Sequence, residues 1–222
     1  MTDRTRARTL AAESVKAGTP LEWFDTLYQE AASGRATVPW ADFRPNPNLV
    51  EWLDDASMRG EGRHALIVGC GYGDDAEELA RRGFDVTAFD ISATVIVRCR
   101  ERFPESPVSY EVADLLQPQS NWHRQFDFVF EAYTLQVLPP NLRAEALSEI
   151  TDFVAPGGTL LLVTRGRDSS DADGTMPWPL TREELSEFSL HMREESFEDY
   201  VEDEEPPVRR FRLVFRRSDD RC

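Results

Sequence analysis

The sequence lacks any apolar run long enough to cross a bilayer. Its longest apolar run, around residues 160–164, has the length of a buried strand. The N-terminus carries Arg4, Arg6 and Arg8 without the apolar segment that would complete a secretory signal. These absences predict a cytoplasmic protein that has no membrane partner.

Cysteine and histidine are scarce, with three of each in 222 residues. Cys70, Cys99 and Cys222 show no CxxC spacing, and no histidine stands four residues from another. Reduced thiols are therefore expected, and no metal site is predicted. We interpret Cys70 as a small packing residue and not as a nucleophile.

Positive charge is also in short supply, because 25 Lys and Arg against 41 Asp and Glu leave a net charge of −16. Phosphates repel such a protein, so nucleic acid is disfavoured as a partner and a small molecule is favoured. One basic cluster, from Arg209 to Arg217, alternates with apolar residues and follows an acidic run, Glu194 to Glu205. The pattern predicts a strand with an outward arginine edge, compensated by the neighbouring strand.

An alternation of strands and helices begins near residue 65. Short apolar runs predict strands at 65–68, 86–89, 108–112, 126–130 and 159–164. Helical patterns lie between them at 74–82, 93–103 and 142–153. Continuous apolar strands separated by helices predict a doubly wound, mostly parallel α/β sheet. Two last strands, at 196–201 and 208–216, predict an antiparallel finish to it.

The segment before residue 60 has a different pattern. Residues 21–32 form an amphipathic helical pattern, and prolines then interrupt regular structure from Pro39 to Pro47. Asn48 is a candidate cap for a following helix that runs to about Met58.

A glycine-rich turn, Gly69-Cys70-Gly71-Tyr72-Gly73, follows the first strand and precedes a helix. Such glycines let the backbone turn sharply and approach a ligand closely. In dinucleotide-binding enzymes this helix start binds a pyrophosphate, which the carboxylates of Asp74 and Asp75 would repel. A phosphate-free, cationic nucleoside such as S-adenosylmethionine meets no such conflict.

Further candidate ligands follow the next three strands. Asp90, with Ile91 after it, stands where an acid accepts hydrogen bonds from ribose hydroxyls. Asp114 can meet an adenine amino group, with Leu115 against the ring, and Glu131 ends the fourth strand. Ligands of open α/β sheets bind outside such carboxyl ends. The alternative for both aspartates is simple capping of the turns that follow.

From about residue 63 to residue 167 the chain resembles the class I S-adenosylmethionine-dependent methyltransferases. The motifs are Val68-Gly69-Cys70-Gly71-Tyr72-Gly73, Phe89-Asp90-Ile91-Ser92, Ala113-Asp114-Leu115 and Pro156-Gly157-Gly158. The resemblance implies a seven-stranded Rossmann-like sheet, with Asp90 on the ribose, Asp114 on the adenine and the glycine turn on the methionine part. The family often has an acid where this chain has Ile67, so the backbone carbonyls of Gly69 and Glu131 are candidates for the methionine amino group.

A narrower set of residues is similar to the thiopurine, thiol and halide methyltransferases: Pro39-Trp40, Arg44-Pro45-Asn46-Pro47 and a non-acidic glycine turn. Those enzymes cover the cofactor with an aromatic N-terminal segment. The likeness predicts that Trp23, Tyr28 and Trp40 shield the sulfonium; the alternative is that they fill the core. We expect residues 1–60 to be a helical cap over the cofactor site and residues 61–222 to be the catalytic domain, in one compact unit.

The predicted function is methyl transfer to a small-molecule acceptor, with sulfur slightly favoured over oxygen or nitrogen. Tyr133 and Tyr28 are the candidate catalytic residues, since a hydroxyl or amine acceptor needs a positioned base. The alternatives are an NAD(P)-dependent oxidoreductase and a cofactor-binding domain without catalysis. Both a monomer and a homodimer are compatible with the sequence.

Overall fold

The computed structural model describes residues 4–219. Its strands are β1 (His64–Val68), β2 (Asp85–Asp90), β3 (Ser109–Val112), β4 (Phe126–Ala132), β5 (Val154–Arg165), β6 (Arg193–Glu202) and β7 (Val208–Arg216). They form one seven-stranded sheet in the order β3-β2-β1-β4-β5-β7-β6. β1 to β5 pair in parallel, and β7 lies antiparallel between β5 and β6. The predicted doubly wound fold with an antiparallel C-terminal strand is confirmed.

Seven α-helices surround this sheet in the described residues. They are α1 (Thr5–Ala17), α2 (Trp23–Ala32), α3 (Pro47–Asp55), α4 (Asp74–Arg81), α5 (Ala93–Arg102), α6 (Pro140–Phe153) and α7 (Arg182–Leu185). The predicted cap of α3 is wrong by two positions: the Asn46 side chain, not that of Asn48, accepts the capping hydrogen bond, at 3.0 Å from the Asn48 amide. Pro47 begins the helix because a first-turn residue needs no amide donor. Between residues 4 and 219, no helix is both long and apolar enough to cross a membrane.

The sheet separates two apolar layers, as the alternation along β1 illustrates. Ala65 and Ile67 face a layer built from α1 to α5, whereas Leu66 and Val68 face α6 and α7. The first layer runs without a break from Ala7 in α1 to the sheet, so the N-terminal helices share one core with the parallel strands. The division at residue 60 remains a prediction.

The basic strand β7 is paired with acidic β6 as expected. Arg209 contacts Asp199 at 2.7 Å and Arg212 contacts Glu198 at 2.7 Å, which confirms the predicted charge compensation. The predicted outward arginine edge is wrong for part of the strand, because Arg210 and Arg212 are buried. The reason is that α3 covers this face, and its Glu51 reaches Arg212 at 3.0 Å.

Candidate functional site

A cavity of about 620 Å³ opens where the parallel strands end. This volume is in the usual range for small-molecule sites. Eleven of the thirteen predicted site residues line it: Tyr28, Trp40, Gly69, Cys70, Gly71, Gly73, Asp90, Ile91, Asp114, Leu115 and Tyr133. The topology explains this convergence, because the carboxyl ends of neighbouring parallel strands meet at one sheet edge.

The glycine turn approaches the cavity closely because its backbone has left-handed conformations. Gly69 has φ +64° and Gly71 has φ +51°. A Cβ at Gly69 would stand 2.4 Å from Thr134 Oγ1, whereas one at Gly71 would stand 3.4 Å from the Tyr28 hydroxyl. Gly71 therefore presents bare backbone to the space beneath Tyr28.

Asp90 joins this turn to β2. Its Oδ2 accepts the Gly71 amide at 3.1 Å, and its Oδ1 accepts the Ser92 amide at 2.9 Å. Burial raises the pKa of Asp90 to about 6, although these amides oppose the shift. The carboxylate is therefore mostly ionised at neutral pH, and its remaining lone pairs can accept hydrogen bonds from a ligand.

Asp114 and its neighbours form the wall beyond β3. Asp114 Oδ1 accepts the Leu116 amide at 2.9 Å, so this side chain does cap a turn. The same residue also lines the cavity beside Ile91 and Leu115. Capping and ligand contact are thus compatible, because a carboxylate has lone pairs for more than one donor.

Two predicted residues, Trp23 and Glu131, lie outside the lining. Trp23 is 2% exposed and packs behind the wall, with its ring centroid 4.0 Å from that of Phe24 and 6.1 Å from that of Trp40. Glu131 is fully buried, and its Oε1 accepts the amides of Thr134 at 2.7 Å and Leu135 at 3.0 Å. Its carboxylate holds the turn after β4, which is why the side chain does not reach the cavity.

The two tyrosines line the cavity, but their hydroxyls are poor bases. Trp40 Nε1 donates to Tyr28 Oη at 2.9 Å. Burial, followed by the charge of Asp90, raises the pKa of Tyr28 well above its ordinary value. Burial raises the pKa of Tyr133 to about 12, although Arg210 opposes it. Because both hydroxyls stay protonated near neutral pH, they can donate hydrogen bonds but are disfavoured as general bases.

Asp74 and Asp75 are neighbours in the sequence, but their carboxylates have different partners in the structure. Asp74 binds Arg102 at 2.9 Å, so its charge is compensated. Asp75 lines the cavity, and its Oδ1 accepts the Asn46 amide at 2.6 Å. Burial raises the pKa of Asp75 to about 7. Sequence reasoning did not assign Asp75 to the site, since Asn46 lies 29 residues away in the chain.

The far end of the cavity contains arginines that the sequence did not indicate. Arg165 ends β5, Arg210 lies near the start of antiparallel β7, and Arg4 precedes α1; all three line the cavity. Only the insertion of β7 beside β5 brings Arg210 to this edge. In the register of the two strands, Arg210 lies opposite Arg165.

Part of the chain is similar to known methyltransferases. Residues 65–158 match the family described as "Methyltransferase domain". The chain is 39% identical over 127 residues to an uncharacterized methyltransferase of Mycobacterium tuberculosis, covering 57% of this chain and 60% of that protein. It is 31% identical over 148 residues to a ubiquinone biosynthesis O-methyltransferase of Bordetella avium, covering 62% of this chain and 59% of that protein.

The fold extends beyond that segment. The structure of the 1,6-didemethyltoxoflavin-N1-methyltransferase of Burkholderia thailandensis, solved with 1,6-didemethyltoxoflavin and S-adenosylhomocysteine, superposes with a TM-score of 0.69 at 16% identity. That likeness covers 96% of this chain and 91% of the other. The chain spans about three fifths of the length of the curated relatives above. The predicted Rossmann-like methyltransferase fold is therefore confirmed, and residues 65–158 match a methyltransferase domain.

Proposed function

We propose that this chain, which contains a methyltransferase domain within a Rossmann-like methyltransferase fold, transfers a methyl group from S-adenosylmethionine to a small-molecule acceptor. The observation that carries the proposal is the glycine turn after β1, whose Gly71 amide is bound to the buried carboxylate of Asp90 at one end of the cavity. That arrangement combines close backbone approach with a fixed acceptor for sugar hydroxyls.

The residues present fit a nucleoside that carries positive charge and no phosphate. The cavity is large enough for a nucleoside with an acceptor beside it. Asp75 stands at the start of α4, where a dinucleotide would place its pyrophosphate. This carboxyl group disfavours the oxidoreductase alternative, although Asp74 contributes less to the argument because Arg102 compensates its charge.

Each part of the cofactor has candidate partners on the wall. Asp90 would accept from the ribose and Asp114 from the adenine amino group, with Ile91 and Leu115 against the ring. The turn from Gly69 to Gly73 would surround the methionine part. When bound, the cofactor supplies a methyl group attached to a cationic sulfur.

Asp75 is the additional candidate, and we assign it to the methionine ammonium. The chain has Ile67 where related enzymes often have an acid, and Ile67 is buried in the core. Of the two acids that begin α4, Asp74 is bound by Arg102, whereas Asp75 has no cationic partner among the described residues and can pair with an ammonium. An ionised carboxylate would be favoured by such a partner.

The N-terminal helices would act as the cap predicted from the sequence. Tyr28 and Trp40 close the cavity above the glycine turn, and Trp23 packs behind them. Excluding water and aligning the acceptor is the main task in a displacement of this type. We therefore propose that the aromatic cap is similar in role to the N-terminal segment of the thiopurine, thiol and halide methyltransferases, and the positions of Tyr28 and Trp40 support this proposal.

The high pKa values of Tyr28 and Tyr133 favour an acceptor that ionises without help. A thiol has an ordinary pKa near 8.5, closer to neutral than a phenol near 10. Sulfur therefore stays the slightly favoured acceptor atom, and oxygen or nitrogen is the alternative.

Calorimetric titration with S-adenosylhomocysteine and with NADH tests the proposal. We expect the first to bind and the second not to bind. Asp90→Asn should weaken S-adenosylhomocysteine binding roughly 10- to 100-fold, because hydrogen bonds to a charged acceptor are weakened. Asp85→Asn is the matched control, since Asp85 begins the same strand and is exposed.

A folded protein that does not bind S-adenosylhomocysteine would overturn the proposal. Transfer of labelled methyl from S-adenosylmethionine into a panel of thiols, phenols and amines then separates an enzyme from a domain that only binds the cofactor.

A further inference from the structure

Three arginines line one end of the cavity, and they differ in how their charges are compensated. Arg210 is bound by Glu202 at 2.8 Å and by Glu204. Glu202 ends β6 and Glu204 lies in the connection to β7, and both also line the cavity. The charge of Arg210 is therefore satisfied within the protein.

Arg165 has no such partner. Among residues 4–219, no carboxylate forms an ion pair or a hydrogen bond with its guanidinium, although the side chain is half-buried. Its backbone is held in place, because the Arg165 amide donates to Gln136 Oε1 at 2.8 Å. A half-buried guanidinium without an anion is unusual, since buried charges are normally paired.

The surroundings of Arg165 are also positive. Burial comes first among the causes that lower the pKa of Arg165 to about 10, followed by the charges of Arg4 and Arg210. Glu204 opposes them, but it binds Arg210 directly and its side chain is 40% exposed. The nearby Asp203 is exposed at the rim. The acidic side chains at this end of the cavity thus either bind Arg210 or are exposed to solvent, and none of them binds Arg165.

The order of the strands puts this end away from the nucleoside. Asp90 ends β2 and Asp114 follows β3, on one side of the sheet centre, whereas Arg165 ends β5 on the other. Three strand spacings separate β2 from β5, which is about 14 Å. A ligand held by Arg165 would therefore lie beside the cofactor, on the side where an acceptor must enter.

We propose that the methyl acceptor carries an acidic group, a carboxylate or a phosphate, which Arg165 binds with Arg4 beside it. The inference rests on the proposed function, because it assigns the second half of the same cavity. A guanidinium can hold either group through two parallel hydrogen bonds, which fixes the acceptor's orientation as well as its position. Arg165 would then be a specificity-determining residue that does not take part in the cofactor site.

The test is calorimetric titration of protein saturated with S-adenosylhomocysteine, using matched acids and neutral analogues. Benzoate is compared with benzamide, phenylacetate with phenylacetamide, and phenyl phosphate with phenol. We expect at least one acid to bind about tenfold or more tightly than its neutral analogue, as charged hydrogen bonds predict. The carboxylate and phosphate arms show which group is preferred.

Arg165→Gln should remove this preference, with a loss of roughly 10- to 100-fold in affinity for the acid and none for the neutral analogue. Arg165→Lys should retain part of it, because the charge stays but the paired donors are lost. Arg209→Gln is the matched control, since Arg209 lies on β7 outside the cavity and pairs with Asp199 and Asp168.

The affinity for S-adenosylhomocysteine, measured first for each variant, separates the two proposals. If the wild-type protein does not bind it, the proposed function fails. If it binds but no acid in the panel is preferred, or Arg165→Gln keeps the preference, the anionic acceptor is contradicted while the proposed function stands. A variant that loses stability without losing the preference would show that Arg165 is structural.

Discussion

Single glycines determine how closely the backbone can approach a ligand at the end of β1. Gly69 combines a left-handed φ with a side-chain neighbour, Thr134, where a Cβ would have to stand. Gly34 has a similar φ of +74° but open space around it. The two positions therefore separate the effect of backbone conformation from the effect of crowding.

Gly34→Ala should cost about 1 kcal/mol of unfolding free energy, from the left-handed conformation alone. Gly69→Ala should cost roughly 2–4 kcal/mol, because the turn or Thr134 must also move. It should also weaken S-adenosylhomocysteine binding, which Gly34→Ala should leave intact. Urea unfolding and calorimetry measure the two effects. Equal losses of stability in both variants would contradict the crowding argument.

At the scale of elements, the N-terminal helices are attached to the domain by a few polar contacts as well as by the core. Asp25 of α2 accepts the Ser92 hydroxyl at 2.5 Å and the Thr94 amide at 3.0 Å, at the start of α5. Ser92 is itself the cap of α5. The Asp25 carboxylate thus joins the N-terminal helices to α5, the helix that follows Asp90.

Asp25→Ala should release α2 from α5, with a loss of about 1–3 kcal/mol in stability, because the donors of Ser92 and Thr94 lose their acceptor. Faster amide exchange in α1 and α2 and weaker cofactor binding are the expected signs. Glu30→Gln is the control on the same helix, since its pair with Arg6 is at the surface and contributes little. Unchanged exchange in Asp25→Ala would show that apolar packing alone holds the cap.

The arrangement of β7 is the other decisive feature at this scale. Inserting an antiparallel strand beside β5 brings Arg210, and the acidic connection before it, to the edge where the parallel strands end. A parallel strand in the same place would present its opposite end to the cavity. The acceptor half of the site therefore depends on strand direction.

For the molecule as a whole, buried carboxyl groups make stability depend on pH. Burial raises the pKa of Asp75 to about 7, of Glu131 to about 7 and of Asp90 to about 6. In the unfolded chain these groups ionise near pH 4. Between those values the folded protein binds more protons than the unfolded one, so its stability falls as pH rises.

We expect the cofactor-free protein to be more stable at pH 5 than at pH 8, by at least about 1.4 kcal/mol, the equivalent of one pKa unit on one group. The net negative charge of the protein also grows as pH rises, and its self-repulsion lowers the stability further. Urea unfolding at pH 5 and at pH 8 measures the difference in the free energy of unfolding. Glu131→Gln should flatten the dependence, whereas Asp85→Asn, at an exposed carboxyl, should not. A protein that gains stability toward pH 8 would contradict the three raised pKa values.

The fold was predictable because strands buried on both faces have continuous apolar sequences and the connecting helices have their own period. The cofactor half of the site was predictable for a related reason, since Gly69, Asp90 and Asp114 each stand at or just beyond the end of a strand. Trp23 and Glu131 lie outside the cavity lining, which the sequence could not indicate because the direction of a side chain within a packed wall depends on its tertiary neighbours. Arg165 was not recognised, since a single arginine at a strand end has no distinctive pattern.

The sequence by itself determined the order of strands and helices, the glycine turn and the acids that follow it, because these features are local to a few residues. Only the tertiary structure decided which charges are compensated and which are not. Asp74 finds its partner 28 residues away, and Arg210 finds one on the neighbouring strand β6. Asp75 and Arg165 remain available at the cavity. Ion pairing depends on distances between separate elements, and those distances exist only once the sheet has formed.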